Sequence, residues 1–136
     1  MKHHVSLIAV FSRVAFALAA AALLPVAGAT SASAAAYPVQ GKWGQSASTD
    51  KQPVDCAHLR TIDFRGERRF DSGGGVPDFR AISVEPQGQN SWRVVEEFRT
   101  GQINARNQLT LQVASDPDRV ELQLTRGGTI KLRKCK

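Results

Sequence analysis

The chain has 136 residues, with 18 basic and 12 acidic side chains and a formal net charge of +6. A large share of its 42% hydrophobic content lies in the first 36 positions. The 100 residues that follow fit one small domain, a size that excludes two-lobed enzymes and large βαβ nucleotide folds.

The first 36 residues have the pattern of a secretory signal peptide. Lys2 and Arg13 precede an apolar run over residues 14–29, and small residues follow it. The run contains Pro25 and is shorter than the roughly 20 apolar residues that a membrane-spanning helix needs. We therefore predict cleavage between Ala34 and Tyr37 and export to the periplasm or the cell exterior. The mature chain would be a single domain of residues 37–136 with no integral membrane segment.

The first half of this domain contains short segments with two-residue alternation. Three strands are predicted here, at residues 39–45, 61–65 and 68–71. The first contains Trp43, and in the second Ile62 and Phe64 share a face. Segments 46–55 and 71–78 are rich in turn-forming residues and are predicted to be flexible loops. Between 79 and 85 apolar residues occupy both parities, which indicates a strand buried on both faces or one with a β-bulge.

Alternation is clearer in the second half of the domain. The segment 92–99 places four residues on one face, namely Trp92, Val94, Glu96 and Phe98. Further strand candidates cover residues 102–106, 109–113, 120–124 and 130–135. Turn residues at 115–118 and at Gly127-Gly128 are typical of hairpin connections between the last three strands.

These segments amount to eight or nine strands, and no stretch after residue 36 has the apolar spacing of an amphipathic helix. Closing a small antiparallel sheet on itself removes its exposed edges. We predict an all-β fold, an antiparallel up-and-down meander of about eight strands closed into a small barrel, with a two-sheet sandwich as the alternative. The interior of such a barrel is filled by side chains or holds one small ligand.

Both cysteines of the mature chain are predicted to form one disulfide. In an oxidising compartment Cys56 and Cys135 are expected to pair, and a loop of that size contributes on the order of 4 to 5 kcal/mol. Cys135 has the parity opposite to Ile130 and Leu132, so the bridge should lie outside the sheet or at its rim. A zinc site formed by Cys56, His58 and Cys135 would lack a fourth ligand, and we predict no metal or other cofactor.

The chain resembles lipocalin-like, or calycin-type, small β-barrel proteins. Gly41-Lys42-Trp43 matches the Gly-x-Trp at the start of their first strand, a meander follows, and a cysteine stands near the C-terminal end. The chain is also similar to small exported bacterial proteins of unassigned function that end in Arg-x-Cys, here Arg133-Lys134-Cys135. It is shorter than lipocalins and has no helix before its last strand. Small bacterial peptidase inhibitors share the barrel shape, but their disulfide encloses a shorter loop.

The residues give no catalytic set, and we predict that the protein is not an enzyme. His58 is the one histidine after the signal peptide, and Glu96 and Glu97 are neighbours on a strand and face opposite ways. No Gly-x-Ser-x-Gly motif is present, and the glycines at 73–75 are not followed by the Lys-Ser or Lys-Thr of a phosphate-binding loop.

Glu96 is the most informative polar residue because its parity places it on an apolar face. An unpaired carboxylate inside a barrel is costly, so Glu96 needs a partner such as Arg80 or Arg60, or a wet lumen. The predicted ligand-binding residues are Trp43, Trp92 and Phe98, which would line the barrel interior, and Glu96, which would lie near its mouth.

Loss of Lys2 and Arg13 with the signal peptide leaves a net charge of +4, which favours anionic partners. Nucleic acid is not expected, because the aromatic residues do not interleave with the basic ones. The leading hypothesis is a non-catalytic exported protein that binds a small apolar or amphiphilic ligand, or an anionic envelope component, in a lipocalin-like barrel. The alternative is a macromolecule-binding module, such as a peptidase inhibitor or envelope interaction protein, that acts through loops 46–55 and 71–78. No sequence feature indicates an oligomeric state.

Overall fold

Eight strands follow one another along the chain in a computed structural model that describes residues 35–46 and 53–136. The predicted signal peptide lies outside the described residues, except for Ala35 and Ala36, as do residues 47–52 of the first predicted loop. The strands are β1 (Gly41–Gln45), β2 (Thr61–Arg65), β3 (Arg68–Asp71), β4 (Asp78–Gly88), β5 (Ser91–Thr100), β6 (Ile103–Val113), β7 (Arg119–Leu124) and β8 (Gly128–Lys134). One short 3-10 turn, η1 (Cys56–His58), precedes β2.

Each strand pairs antiparallel with the next, and β1 pairs with β8, so the sheet closes into a barrel. The predicted all-β meander is therefore confirmed, as a barrel and not as a two-sheet sandwich. A closed antiparallel barrel of eight strands is also compatible with the lipocalin-like resemblance. Within the described residues no helix has the length and apolarity needed to cross a bilayer.

Two strands differ in detail from the sequence expectation. Residues 102–106 do not form a separate strand, because β6 runs without interruption from Ile103 to Val113. The ambiguous segment 79–85 belongs to β4, and the pairing of β4 with β5 shifts register between Ala81 and Ser83. This irregularity lets apolar residues of both parities turn inward, as the predicted bulge requires.

The barrel interior is packed with apolar side chains over most of its length. Alternation turns one face of every strand inward, and large aliphatic and aromatic residues fill the space. The buried hydrophobic residues are Tyr37, Trp43, Ile62, Phe64, Ala81, Val94, Leu109, Leu111, Val120, Leu122, Ile130 and Leu132.

The segment before β2 crosses the outside of the barrel and is fixed by the disulfide. Cys56 and Cys135 are bonded, which confirms the predicted pairing. Val54 pairs with Cys135 through backbone hydrogen bonds, so the crossing segment lies beside the end of β8. A Cβ atom at Gly44 would lie 2.8 Å from Cys56 Sγ. Glycine is therefore required at this point of β1 for the disulfide to cover the outer face.

Candidate functional site

A group of polar side chains occupies one part of the barrel interior, with Glu96 on β5 at its centre. Glu96 is fully buried and accepts four hydrogen bonds. Arg69 on β3 donates two of them, from Nε at 3.1 Å and from Nη2 at 2.5 Å. The Tyr37 hydroxyl donates at 2.6 Å, and Asn107 Nδ2 on β6 donates at 3.2 Å. The carboxylate is thus paired and solvated by protein groups.

The partner of Glu96 is Arg69, so the expectation of Arg80 or Arg60 is wrong. Arg80 has the opposite parity on β4 and pairs on the outside with Glu97, at 3.1 Å. Arg60 stands before β2 and reaches Asp71 instead. Sequence reasoning missed Arg69 because a charged residue in a short, mostly charged strand gives no sign of facing inward.

The network continues from Arg69 to the rim of the barrel that carries the β3–β4 loop. Arg69 Nη1 lies 3.4 Å from Asp71 Oδ2, and its guanidinium stacks 3.9 Å from the ring centre of Phe79. Arg60 binds Asp71 through two parallel hydrogen bonds of 2.8 and 2.7 Å. The amide of Gly73 also donates to Asp71, at 3.0 Å. Asp71 therefore holds the start of the 71–78 loop in place.

Tyr37 brings the N-terminal segment into the same network. Its side chain is 3% exposed, its ring meets Phe64 edge to face with centroids 5.1 Å apart, and its amide donates to the Gly66 carbonyl. Gln40 donates to the Tyr37 carbonyl and accepts from the Gly66 amide. The segment before β1 thus closes part of the barrel, a role that sequence reasoning missed although Tyr37 is the single tyrosine of the chain.

Burial and pairing shift the pKa values of this network. Burial, followed by the charge and hydrogen bond of Glu96, raises the pKa of the Tyr37 phenol well above its ordinary value of 10.0. Burial opposes ionisation of Asp71, but hydrogen bonds from Arg60 and Gly73 and the charges of Arg60 and Arg69 outweigh it and lower the pKa of Asp71. At neutral pH the network therefore contains a neutral phenol and a charged Asp71.

The four predicted ligand-binding residues all take interior parity, but they do not form one site. Trp43 is 4% exposed, and its indole donates to the Gln40 carbonyl at 3.1 Å. Trp92 is half-buried at one end of β5, beside Leu111. Phe98 stands near the other end and packs on Phe79, with ring centroids 5.2 Å apart. The rings of Phe79 and Phe98 line an open cleft of about 410 Å³, which also contains Arg68, Arg80 and Arg99.

An open groove lies on the outer surface of β1 and β2. Its main part has a volume of about 600 Å³ and contains the disulfide, with Lys42 and Thr61 on the strands. A shallower part of about 280 Å³ continues along Lys42 and Thr61 to the 71–78 loop, where Ser72 and Pro77 line it. The same groove is therefore bordered by Asp55, the described end of the 46–55 loop, and by Ser72 of the 71–78 loop.

A second buried arginine has far fewer partners than Arg69. Arg133 on β8 is 1% exposed, and its three guanidinium nitrogens make no hydrogen bond within the described residues. The nearest carboxylate oxygen, Asp116 Oδ2, is 3.7 Å away. Burial without hydrogen bonds makes this side chain energetically costly where it stands.

The described residues contain no group of three or more His, Cys, Asp or Glu side chains that could hold a metal ion. His58 lies exposed at the end of the 3-10 turn. Comparison with protein-family models, with curated proteins and with solved structures finds no match to this chain.

Proposed function

We propose that the protein is a non-catalytic exported binding module that holds a macromolecular partner in the groove between loops 46–55 and 71–78. The observation that carries this proposal is that Asp55, the described end of the first loop, and Ser72 of the second loop border one open groove, while Glu96 and Arg69 inside the barrel satisfy each other. A packed barrel then serves as a rigid support for loops that bind.

Both described walls of the groove are held by strong local contacts. The disulfide and the Val54–Cys135 pairing fix the wall that follows the first loop. The two Arg60–Asp71 hydrogen bonds fix the beginning of the second loop. A site whose walls are ordered before binding loses less conformational entropy when the partner arrives, so these contacts favour binding.

Charge favours an acidic partner for the groove. Lys42 and Lys136 line its main part together with Asp55, and the two aspartates of the shallower part, Asp63 and Asp71, are already paired with Arg65 and Arg60. The predicted signal peptide and the disulfide agree with an oxidising location, where the partner would be an acidic protein or an anionic component of the cell envelope.

The experiment is photocrosslinking from the groove in cells that export the protein. A benzophenone amino acid at Ala57, an exposed groove residue, should give one adduct of defined mass, and the same group at Gln112 on the outside of β6 should not. After identification by mass spectrometry, the purified partner should bind Lys42→Glu at least about tenfold more weakly than wild type, because the groove charge is reversed. Equal adducts from both positions would overturn the proposal.

A carrier of a small lipophilic ligand is the second candidate function. It is favoured by the partial exposure of Trp92 and Phe98 at the two ends of the interior face of β5. Native mass spectrometry of protein purified from its own compartment tests it. A lipophilic molecule retained at one per chain, together with quenching of tryptophan fluorescence on its addition, would favour the carrier over the groove.

A further inference from the structure

Part of β6 has an unpaired edge. β5 pairs with β6 over its whole length, but β7 pairs only with residues 109–113. The last contact on that side is the hydrogen bond from the Thr125 amide to the Gln108 carbonyl, at 3.2 Å. Within the described residues, positions 103–107 therefore have no strand neighbour on this edge.

The free backbone groups at this edge point to the β7 side, away from β5. In an antiparallel strand the N–H and C=O groups of alternate residues point to the same side. The Gln108 carbonyl faces the β7 side, so the N–H and C=O groups of Asn104 and Arg106 face that side too. These four groups are a template to which a further extended segment can pair.

The side chains along the edge point alternately to the inner and the outer face of β6. Ile103 and Ala105 have interior parity, but they lie beyond the end of the packed core. Ile103 is 65% exposed and is the one exposed large hydrophobic residue of the described chain. Asn104 and Arg106 point outward and are exposed. An added strand would therefore meet apolar side chains on one face and a basic residue on the other.

Arginines without acidic partners surround this edge. Arg99 on β5, Arg106 on β6 and Arg126 in the β7–β8 turn have no carboxylate within 4.0 Å in the described residues. All other described arginines have one. Arg126 follows Thr125, the residue that ends the free edge. Glu97 stands opposite Arg106 in the β5–β6 register but pairs with Arg80, at 3.1 Å, so the charge of this edge is left for a partner to neutralise.

We propose that the edge of β6 at residues 103–107 binds an extended protein segment by strand addition, with acidic side chains facing Arg99 and Arg106 and apolar side chains facing Ile103. Strand addition supplies affinity through the backbone and specificity through alternate side chains. The surface is separate from the groove and does not depend on it. A second copy of this chain is a poor occupant, since it would bring the same three arginines to the contact.

The test uses a short blocked peptide that alternates valine and glutamate, titrated into the oxidised mature protein. Calorimetry gives the affinity, and NMR gives the exchange rates of the Asn104 and Arg106 amide protons, which should fall when the peptide binds. Two control peptides separate the contributions. Valine alternating with lysine tests charge, and the valine–glutamate peptide with alternate amides N-methylated tests backbone pairing. Each control should bind at least about tenfold more weakly.

Protein variants test the same contact from the other side. Asn104→Pro removes an outward N–H while leaving the hydrogen bonds to β5, and it should lower peptide affinity at least about tenfold. Arg106→Gln should weaken binding and reduce its dependence on salt. Arg93→Gln, an outward arginine near the other end of β5, should not. Circular dichroism confirms that each variant is folded, and the exchange measurement on wild type needs no variant.

Equal binding of the N-methylated peptide would show that charge alone attracts the ligand and would overturn strand addition. Unchanged affinity in a folded Asn104→Pro variant would do the same. Protection of the Asn104 and Arg106 amides that grows with protein concentration, without peptide, would assign the edge to a second copy and overturn the proposed occupant.

Discussion

The buried pair Arg69–Glu96 should be strongly coupled, and replacing either residue alone should cost more than replacing both. Arg69→Met removes two of the four hydrogen bonds to a fully buried carboxylate. Glu96→Met leaves a guanidinium that is 2% exposed with the more distant Asp71 as its remaining carboxylate. The double variant removes both charges and keeps apolar volume in the same place.

The magnitude follows from burial. Removing one member of a buried ion pair costs about 3–5 kcal/mol, because the other charge stays in the interior without compensation. A domain of this size has a total stability of roughly 5–15 kcal/mol, so each single variant should be severely destabilised. In the double variant Tyr37 loses its acceptor, but no buried charge of the pair remains. Because each single variant should cost about 3–5 kcal/mol and the double variant less than either, the coupling free energy should be at least about 3 kcal/mol.

Urea unfolding of the oxidised protein, followed by tryptophan fluorescence and circular dichroism, measures the free energy of unfolding of all four proteins. The matched control is the cycle for Arg80 and Glu97, which pair at 3.1 Å on the outside of β4 and β5. That exposed pair should couple by less than about 1 kcal/mol. Additive costs for the Arg69 and Glu96 variants, within error of the control cycle, would refute a buried ion pair in the barrel.

Further predictions concern other buried groups and the disulfide. Arg133→Met should leave the free energy of unfolding unchanged or raise it by about 1 kcal/mol, because the guanidinium makes no hydrogen bonds within the described residues. A decrease in the free energy of unfolding of more than about 2 kcal/mol, measured in urea, would contradict this. The folded pKa of Tyr37 is raised, so stability should fall as pH rises above about 10, with phenolate absorbance appearing only on unfolding and a shallower loss in Tyr37→Phe. The folded pKa of Asp71 is lowered, so its contribution should be lost as pH falls below about 4, and acid denaturation curves of Asp71→Asn should be shallower. Cys135→Ala should lower the thermal midpoint of the oxidised protein, because the bridge spans 79 residues and contributes about 4–5 kcal/mol, and it should leave the midpoint of the reduced protein unchanged. Equal midpoints for the oxidised wild type and the variant would exclude this contribution.

The barrel could be predicted because most strands have one apolar face. Leu109 and Leu111 on β6, and Val120 and Leu122 on β7, alternate with polar residues and are all buried in the structure. Alternation of this kind determines which face a strand turns inward, since a shift of one residue would expose the whole apolar set. The turns between these strands then leave little freedom of topology.

The polar network could not be predicted in the same way. In β3 the one apolar residue, Phe70, points outward beneath Arg65 and Arg68, whereas Arg69 and Asp71 point inward. Alternation alone would turn Phe70 inward. The partner of Glu96 also depends on how β3 is placed relative to β5, two strands away around the barrel, and this placement is a property of the closed sheet.

The inward ion pairs supply the register that apolar alternation leaves undefined in β3. If β3 slid by two residues, Arg69 would no longer face Glu96 and Asp71 would no longer meet Arg60, so buried charges would lose their partners on both sides. The same register places Asp71 at the end of the strand, where Arg60 and the Gly73 amide hold the start of the 71–78 loop. That loop forms one wall of the outer groove. The buried network therefore links the packing of the barrel to the geometry of the proposed binding surface, although no residue of the Arg69–Glu96 pair reaches that surface.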